Sequence, residues 1–307
     1  MNQHYVPKLI LDGFVNPDEP GNRGVWVYRR STQQWLKRPT RRVASIDDLY
    51  NFTSSDEPRD DTIEQSMSSI ESTFAAVLRE AIIPRRAIAL PRPFDIVVTF
   101  CALLMCRNPS TGDKMGDIMV RDAKAHFASV IASDEAFQAF RTEMRDRAGI
   151  DFPNIVPADR PRLLTDFAIN PTKFGSLGVA LLGLQVFPEQ LAQMAISFYH
   201  TSSSDPFITA DRPYAIVNVG DTAEIEQLVV PLSATVAAVF DTGEPPAYRH
   251  RDASHANVLQ ANAAILSSAE DILISYTPNV IAPEVLNRWA LAVSPEERTL
   301  IARELGA

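Results

Sequence analysis

The sequence is poor in the residues that define several specialised classes of protein. Its 307 residues include two cysteines and 12 glycines, which excludes a disulfide scaffold and a collagen-like chain. The longest apolar stretch, Leu177 to Phe187, has about half the length that a membrane-spanning helix needs, so no membrane partner is expected. The first residues show neither the basic start nor the apolar run of a secretory signal. We therefore expect a cytoplasmic protein.

Acidic residues are missing from one segment of a chain that is otherwise acidic. The chain carries 29 Lys+Arg against 38 Asp+Glu, a formal net charge of −9, and 46% of its residues are hydrophobic, as in a globular protein. No Asp or Glu occurs between Glu19 and Asp47, where β-rich runs flank a turn and predict a hairpin. This basic hairpin contains Arg23, Trp26, Tyr28, Arg29, Arg30, Trp35, Lys37, Arg38, Arg41 and Arg42.

The basic hairpin has two interpretations. Guanidinium groups bind phosphate in a bidentate manner and aromatic rings stack on bases, which favours DNA binding through Arg29, Arg30, Lys37, Arg38, Arg41 and Arg42. Alternatively, the aromatic rings pack into the core while the arginines pair with acidic side chains such as Asp56, Glu57, Asp60 and Asp61. The sequence leaves both open.

The pattern along the chain predicts an α+β fold. Apolar residues at helical spacing from Asp60 to Ile82, a continuous apolar segment from Phe94 to Cys106 and two mixed stretches up to Ala148 predict a helical section at about residues 60–150. Short β-like runs between Met194 and Phe240, and again at Ile272 to Tyr276, predict strands. We expect a single domain over residues 1–307, with a mixed sheet built from the N-terminal hairpin and the C-terminal strands.

Two short segments carry the side chains best suited to chemistry. In Gln3–Lys8, His4 can serve as an acid, a base or a hydrogen-bond donor, although a single histidine near a terminus is more often structural. In Ser204–Pro213, a short strand delivers Thr209, Asp211 and Arg212 into a turn, where Asp211 either stabilises a cation or caps the turn.

Two further positions have plainer interpretations. Arg107 follows the apolar segment, and its default role is to complement the dipole of that helix. His250–His255 contains metal-ligand residue types, but their spacing fits no standard zinc motif, and the segment is predicted to be a polar loop. No metal and no cofactor are predicted.

The order of these landmarks resembles a known bacterial family. Gln3-His4-Tyr5-Val6-Pro7 and Thr209-Ala210-Asp211-Arg212-Pro213 are the most specific parts, and Glu71, Arg107-Asn108-Pro109, Pro231-Leu232-Ser233 and Asn262 fall between or after them. The sequence is similar over most of its length to the domain-of-unknown-function 4238 family. Family members usually have Ser-Asp-Asn-Pro in the second motif, whereas this chain has Ala210-Asp211-Arg212-Pro213.

The resemblance implies an activity, because some similar proteins are linked to phage defence, and DNA glycosylase activity on modified bases has been proposed for them. Base removal needs a phosphate grip, a pocket for the flipped nucleotide and groups that assist departure of the base. The implied catalytic residues are His4 and Asp211. The implied substrate-binding residues are Tyr5, Thr209, Arg212, Arg107 and Asn262.

Three hypotheses follow for the function. The first is a metal-independent DNA-acting hydrolase, a glycosylase that excises modified bases in antiviral defence. The second is a non-catalytic module that binds nucleic acid or another polyanion through the basic hairpin. The third is a metal-dependent nuclease that uses Asp211 or the segment His250–His255.

Overall fold

The structure is a computed structural model that describes residues 2–18, 24–47, 62–87, 92–109, 121, 124–148, 151, 153–165, 186–217, 225–242, 248–278 and 280–305. Contacts along the chain divide it into two compact units. The larger unit combines Met1–Asn108 with Ala180–Ala307, and the smaller unit is Pro109–Val179. Arg23 and the acidic residues Asp56, Glu57, Asp60 and Asp61 lie outside the described residues.

The strands of the larger unit form three sheets. They are β1 (Asn2–His4), β2 (Gly24–Arg29), β3 (Gln34–Pro39), β4 (Ser45–Asp47), β5 (Ala195–His200), β6 (Thr209–Ala210), β7 (Ala215–Val217), β8 (Gln227–Ser233), β9 (Val236–Asp241), β10 (Tyr248–Asp252) and β11 (Ile272–Ser275). Strands β1 and β4 form an antiparallel pair, β3-β2-β11-β6 form an antiparallel sheet, and β10-β5-β9-β8-β7 form a mixed sheet whose parallel pair is β10 with β5.

Helices pack on the antiparallel four-stranded sheet and on the mixed sheet, and other helices form the smaller unit. The larger unit has α1 (Lys8–Asp12), α2 (Thr62–Val77, extended by a π-helical turn over Leu78–Ile82), α3 (Arg92–Cys106), α7 (186–191), α8 (His255–Ser268), α9 (Pro283–Leu291) and α10 (Pro295–Leu305). The smaller unit has α4 (124–132), α5 (Asp134–Ala148) and α6 (Arg160–Thr165). A 3₁₀ turn, Thr40–Arg42, follows β3.

The predicted α+β class and the N-terminal hairpin are confirmed. Strand β2 lies inside its sheet and is buried on both faces, because Val25 and Val27 belong to the main core while Tyr28 packs with Trp289 in a second core. The hairpin pairs with β11 through β2, so N-terminal and C-terminal strands share a sheet, as expected. Its sheet is separate from the mixed sheet.

Helices α2 and α3 of the predicted helical section form the main core with one face of the mixed sheet. The rings of Phe74 on α2 and Phe100 on α3 stack at 3.8 Å, which explains the apolar spacing of both segments. Strands β5, β8 and β9 contribute Phe198, Val230 and Ala238 to the same core. No helix among the described residues is both long and apolar enough to span a membrane.

The prediction of a polar loop at His250–His255 is wrong. His250, Arg251 and Asp252 lie in β10, which pairs in parallel with β5, and Ser254 then caps α8 through the backbone N–H of Asn257. Their polar side chains give no β signal, so pairing with a distant strand decides the conformation.

Candidate functional site

The N-terminal strand places His4 and Tyr5 beside the 3₁₀ turn that follows the hairpin. Strand β1 pairs with β4, with His4 opposite Ser45, and the Tyr5 backbone N–H donates to the carbonyl of Ala44 at 3.0 Å. Pro7 then ends the extended segment and α1 begins at Lys8. The 3₁₀ turn lies just before β4 in the chain, so the pairing of β1 with β4 brings the N-terminal strand next to this turn.

The ring of His4 is held at one nitrogen and open at the other. Its Nε2 lies 3.2 Å from the carbonyl oxygen of Thr40, and since a carbonyl only accepts, Nε2 must carry the hydrogen of this bond. In the neutral ring the lone pair is then on Nδ1. No second hydrogen bond to this ring is formed by the described residues. His4 is half-buried, so Nδ1 is available as a base or an acceptor.

Arg107 positions this strand from inside the core. Its guanidinium is 2% exposed, forms an ion pair with Glu71 on α2, and donates to the carbonyl oxygen of His4 at 2.6 Å. These contacts give Arg107 a positioning role, and its predicted contact with substrate stays a prediction. The default explanation, a charge that complements the end of α3, is incomplete, because Arg107 links three separate segments.

Asp211 is a buried carboxylate whose acceptor sites are filled by backbone N–H groups. Its Oδ1 accepts from Arg212 and Glu270, both at 3.0 Å, and its Oδ2 accepts from Asp271 at 2.6 Å and Ile272 at 3.1 Å. A carboxylate has about four lone-pair positions, so none is left to face a sugar cation or activate water. The geometry favours the turn-capping alternative over the predicted catalytic role.

Burial and hydrogen bonding act in opposite directions on Asp211. Burial raises the pKa of its carboxyl, and the N–H groups of Glu270, Asp271 and Ile272 oppose that rise. Through its hydrogen bonds, Asp211 connects the turn after β6 to the segment that leads into β11. Its negative charge also acts on Tyr5, which directly follows β1.

The charge of Asp211 acts on the phenol of Tyr5. Burial raises the pKa of the Tyr5 phenol, and the negative charges of Asp211, Asp271 and Glu270 raise it further, while Arg29 lowers it. The phenol is therefore neutral at physiological pH and can donate a hydrogen bond. It has no hydrogen-bond partner among the described residues.

The remaining predicted substrate-binding residues have different environments. Asn262 is buried in α8, where its amide bridges the carbonyl of Pro206 and the N–H of Ile208 and so fixes the entry to β6. The hydroxyl of Thr209 is buried without a partner among the described residues. Arg212 is half-buried and lies 4.9 Å above the ring of Tyr214. Asn262 and Arg212 thus have structural contacts of their own.

The basic residues of the hairpin divide into two groups. Arg29 forms an ion pair with Asp271 at 2.5 Å, and Arg30 donates to the carbonyls of Glu270 and Ala292 while lying 5.3 Å above the ring of Trp289. These two arginines hold the hairpin against the C-terminal part of the chain. The Arg29 side chain is still 52% exposed, so contact of these residues with DNA phosphates stays a prediction.

The second group faces solvent next to His4. Arg38, Arg41 and Arg42 are exposed at the end of β3 and in the 3₁₀ turn, and Lys37 is half-buried, 6.0 Å from the ring of Trp26. Thr40, whose carbonyl binds His4, lies between Arg38 and Arg41. We call Arg38, Arg41 and Arg42 the arginine surface. All three belong to the predicted phosphate-binding set and are exposed.

The histidines of β5 and β10 contact each other. His200 Nε2 lies 3.0 Å from His250 Nδ1, and His250 Nε2 lies 3.1 Å from the carbonyl of Arg86. Burial, Arg85 and His250 lower the pKa of His200 to about 4, so His200 is neutral at physiological pH. Across the described ranges, no group of three or more His, Cys, Asp or Glu side chains is placed to hold a metal ion.

Fold and site together define an α+β protein in which a histidine with one free ring nitrogen lies beside an exposed arginine surface. The next residue, Tyr5, carries a phenol without a hydrogen-bond partner among the described residues. The chain belongs to the DUF4238 family, a family of proteins of unknown function, whose model matches residues 2–278. No curated protein and no solved structure matches the chain. The family expected from the two short motifs is thus confirmed.

Sequence reasoning missed most of the partners that fix the site. The carbonyl of Thr40 and the N–H groups of residues 270–272 are backbone atoms, and every residue except proline carries both groups. The position of Glu270 and Asp271 directly before a β-like run was the one available signal, because a loop that enters a strand leaves N–H groups for a capping carboxylate.

Proposed function

We propose that the protein binds nucleic acid through the arginine surface. The observation that carries this proposal is the cluster of three exposed guanidinium groups, Arg38, Arg41 and Arg42, in a segment without any acidic residue. Guanidinium groups bind phosphate oxygens in a bidentate manner, and neutralising phosphates releases condensed counterions. The acidic remainder of the chain repels a polyanion elsewhere, so binding occurs in one orientation.

Replacing Arg38, Arg41 and Arg42 together by glutamine is expected to weaken binding of a 20-base-pair DNA duplex by about tenfold or more, because up to three phosphate contacts are lost. Fluorescence anisotropy over a series of salt concentrations measures the effect. The slope of log K against log salt should become shallower by about 0.9 for each lost contact.

A second triple variant, Arg79→Gln with Arg145→Gln and Arg162→Gln, is the control, since these arginines are exposed elsewhere and the change in net charge is the same. The control should bind as the unaltered protein does. Equal losses in both variants would show that total charge, and not the arginine surface, governs binding.

A second candidate function is hydrolysis of the glycosidic bond of a modified nucleotide. Two groups favour this reaction: the open Nδ1 of His4, whose ring binds the carbonyl of Thr40 between Arg38 and Arg41, and the unpaired phenol of the adjacent Tyr5. In it, the bond from C1′ to the base nitrogen breaks and its electron pair leaves with the base. Water forms the new bond to C1′ as it transfers a proton to His4 Nδ1, and the neutral phenol of Tyr5 donates a hydrogen bond. Asp211 takes no chemical step.

This reaction is tested by incubating the protein with phage DNA that contains modified bases and with unmodified DNA. Released bases are measured by mass spectrometry and abasic sites by strand cleavage in alkali. We expect release from the modified DNA, with a loss of about 100-fold in His4→Ala, the scale of one general base.

Absence of release from either DNA would contradict the hydrolase and leave the binding module. Strand scission that a chelator abolishes would instead support the metal-dependent nuclease.

A further inference from the structure

One face of the mixed sheet is only partly covered by helices. Its other face belongs to the main core, whereas this face meets α8 and α10 and leaves a cleft of about 530 Å³. The floor is apolar and includes Val229, Val239 and Ala237, with Phe207 at one side. A space of this size is typical of small-molecule sites.

Small side chains on the helices create the cleft. Ala261 and Ala264 on α8 and Ala302 on α10 line the cleft, where larger residues would fill the space. Ile216 remains 37% exposed at the margin. The hydroxyls of Ser267 and Thr299, 2.7 Å apart, join the two helices at the back of the cleft. The shape is therefore held by contacts that do not involve an occupant.

Polar groups without internal partners line the same cleft. The phenol of Tyr199 has no hydrogen bond to any described residue and rises from the floor beside Ala237, its partner in the register. The amides of Gln227 and Gln260 also line it, and Asp241 lies next to Gln227 on the same face. Amide and carboxylate groups of this kind recognise the hydrogen-bonding edge of a nucleobase.

Cations border the opposite side. Arg249 and Arg251 on β10 pair with Ser197 and Tyr199, which places them on the cleft face of the sheet, and Arg303 lines the cleft from α10. All three side chains are exposed and form no ion pair with the residues that the structure describes. From β10 to Gln227 on β8 are three strand spacings, about 14 Å.

We propose that this cleft binds a nucleoside monophosphate. The base lies on the apolar floor against Tyr199, its amino edge meets Gln227 and Asp241, and the phosphate reaches the arginines of β10, whose long side chains shorten the span. A neutral apolar ligand would make no ion pair with the three arginines, and a fatty acid would make no hydrogen bond to the amides of Gln227 and Gln260. The cleft shares no residue with the arginine surface, so the proposal is independent of DNA binding there.

Isothermal titration calorimetry of the full chain with AMP tests the proposal, with adenosine and decanoate titrated in parallel. AMP should bind, adenosine should bind at least tenfold more weakly because it lacks the phosphate, and decanoate should not compete with AMP. The double variant Arg249→Gln with Arg251→Gln should weaken AMP binding at least tenfold. Val239→Trp, which fills the cleft, should abolish it.

The control is Arg79→Gln with Arg145→Gln, which removes the same charge elsewhere and should bind AMP normally. Three results would each overturn the proposal: no heat with AMP at millimolar concentration, equal binding of AMP and adenosine, or binding of decanoate alone. Since Arg249→Gln with Arg251→Gln changes two exposed residues, a folding defect in Val239→Trp does not affect this decision. The variant lacking Arg38, Arg41 and Arg42 should retain AMP binding.

Discussion

Replacing Asp211 by alanine is expected to lower the free energy of unfolding by about 3–5 kcal/mol. The change removes the acceptor of four backbone N–H groups, those of Arg212, Glu270, Asp271 and Ile272, in a place that water reaches poorly. Each buried N–H that loses its partner costs about 1–3 kcal/mol, with partial relaxation reducing the sum. Denaturant unfolding followed by circular dichroism measures the loss.

Asp205→Ala is the matched control, because Asp205 lies near Asp211 in the sequence but binds the exposed ring of His255. An exposed pair contributes about 1 kcal/mol or less, so the control should unfold close to the unaltered protein. If Asp211→Ala were equally stable and also failed to release bases from modified DNA, the carboxylate would be catalytic and the structural role derived from its four bonds would be contradicted.

Replacing Arg107 by methionine is expected to cost about 3–5 kcal/mol of stability. Methionine keeps the apolar part of the side chain but leaves the Glu71 carboxylate without its buried partner, and breaking one side of a buried pair has this magnitude. The carbonyl of His4 loses a donor at the same time. Denaturant unfolding again provides the measurement, and the midpoint should fall without a change in slope.

A double variant separates the ion pair from simple loss of packing. Arg107→Met combined with Glu71→Met removes both charges, and should be clearly more stable than the sum of the single changes predicts, since no lone charge remains buried. Arg288→Met, which breaks an exposed pair with Glu304, should unfold close to the unaltered protein. Additive losses in the double variant would show that Arg107 and Glu71 act separately.

Much of the fold could be predicted from local patterns because those patterns report burial. The spacing of Phe74 and its neighbours along α2, and the apolar run of α3, follow from the need to cover one core. Strand β10 could not be predicted in this way. Its Arg249, His250 and Arg251 have no β pattern, and the strand exists because β5, some fifty residues earlier, offers an edge for pairing.

The residue types of the candidate site could be predicted from the sequence, but the role of each residue could not. His4 and Tyr5 were identified by their chemistry, and the structure leaves a nitrogen of the first and the hydroxyl of the second available. Asp211 was identified in the same way, yet its acceptor sites are filled by backbone N–H groups. Such groups carry no side-chain signal, so a capping carboxylate and a catalytic carboxylate have the same appearance in a sequence.

Composition and periodicity are local properties, so they are sufficient to predict the α+β class, the hairpin and the separation of seven basic residues from an acidic remainder. The partners of those basic residues depend on long-range packing, which no local pattern reports. Arg29 meets Asp271 across 242 positions of sequence, and Arg30 meets carbonyls that arrive from α9 and the turn after it. Arg38, Arg41 and Arg42 stay exposed because they lie on an edge strand and the 3₁₀ turn beyond it. Charge is set by residue type, but its availability to a ligand depends on what long-range packing brings beside it.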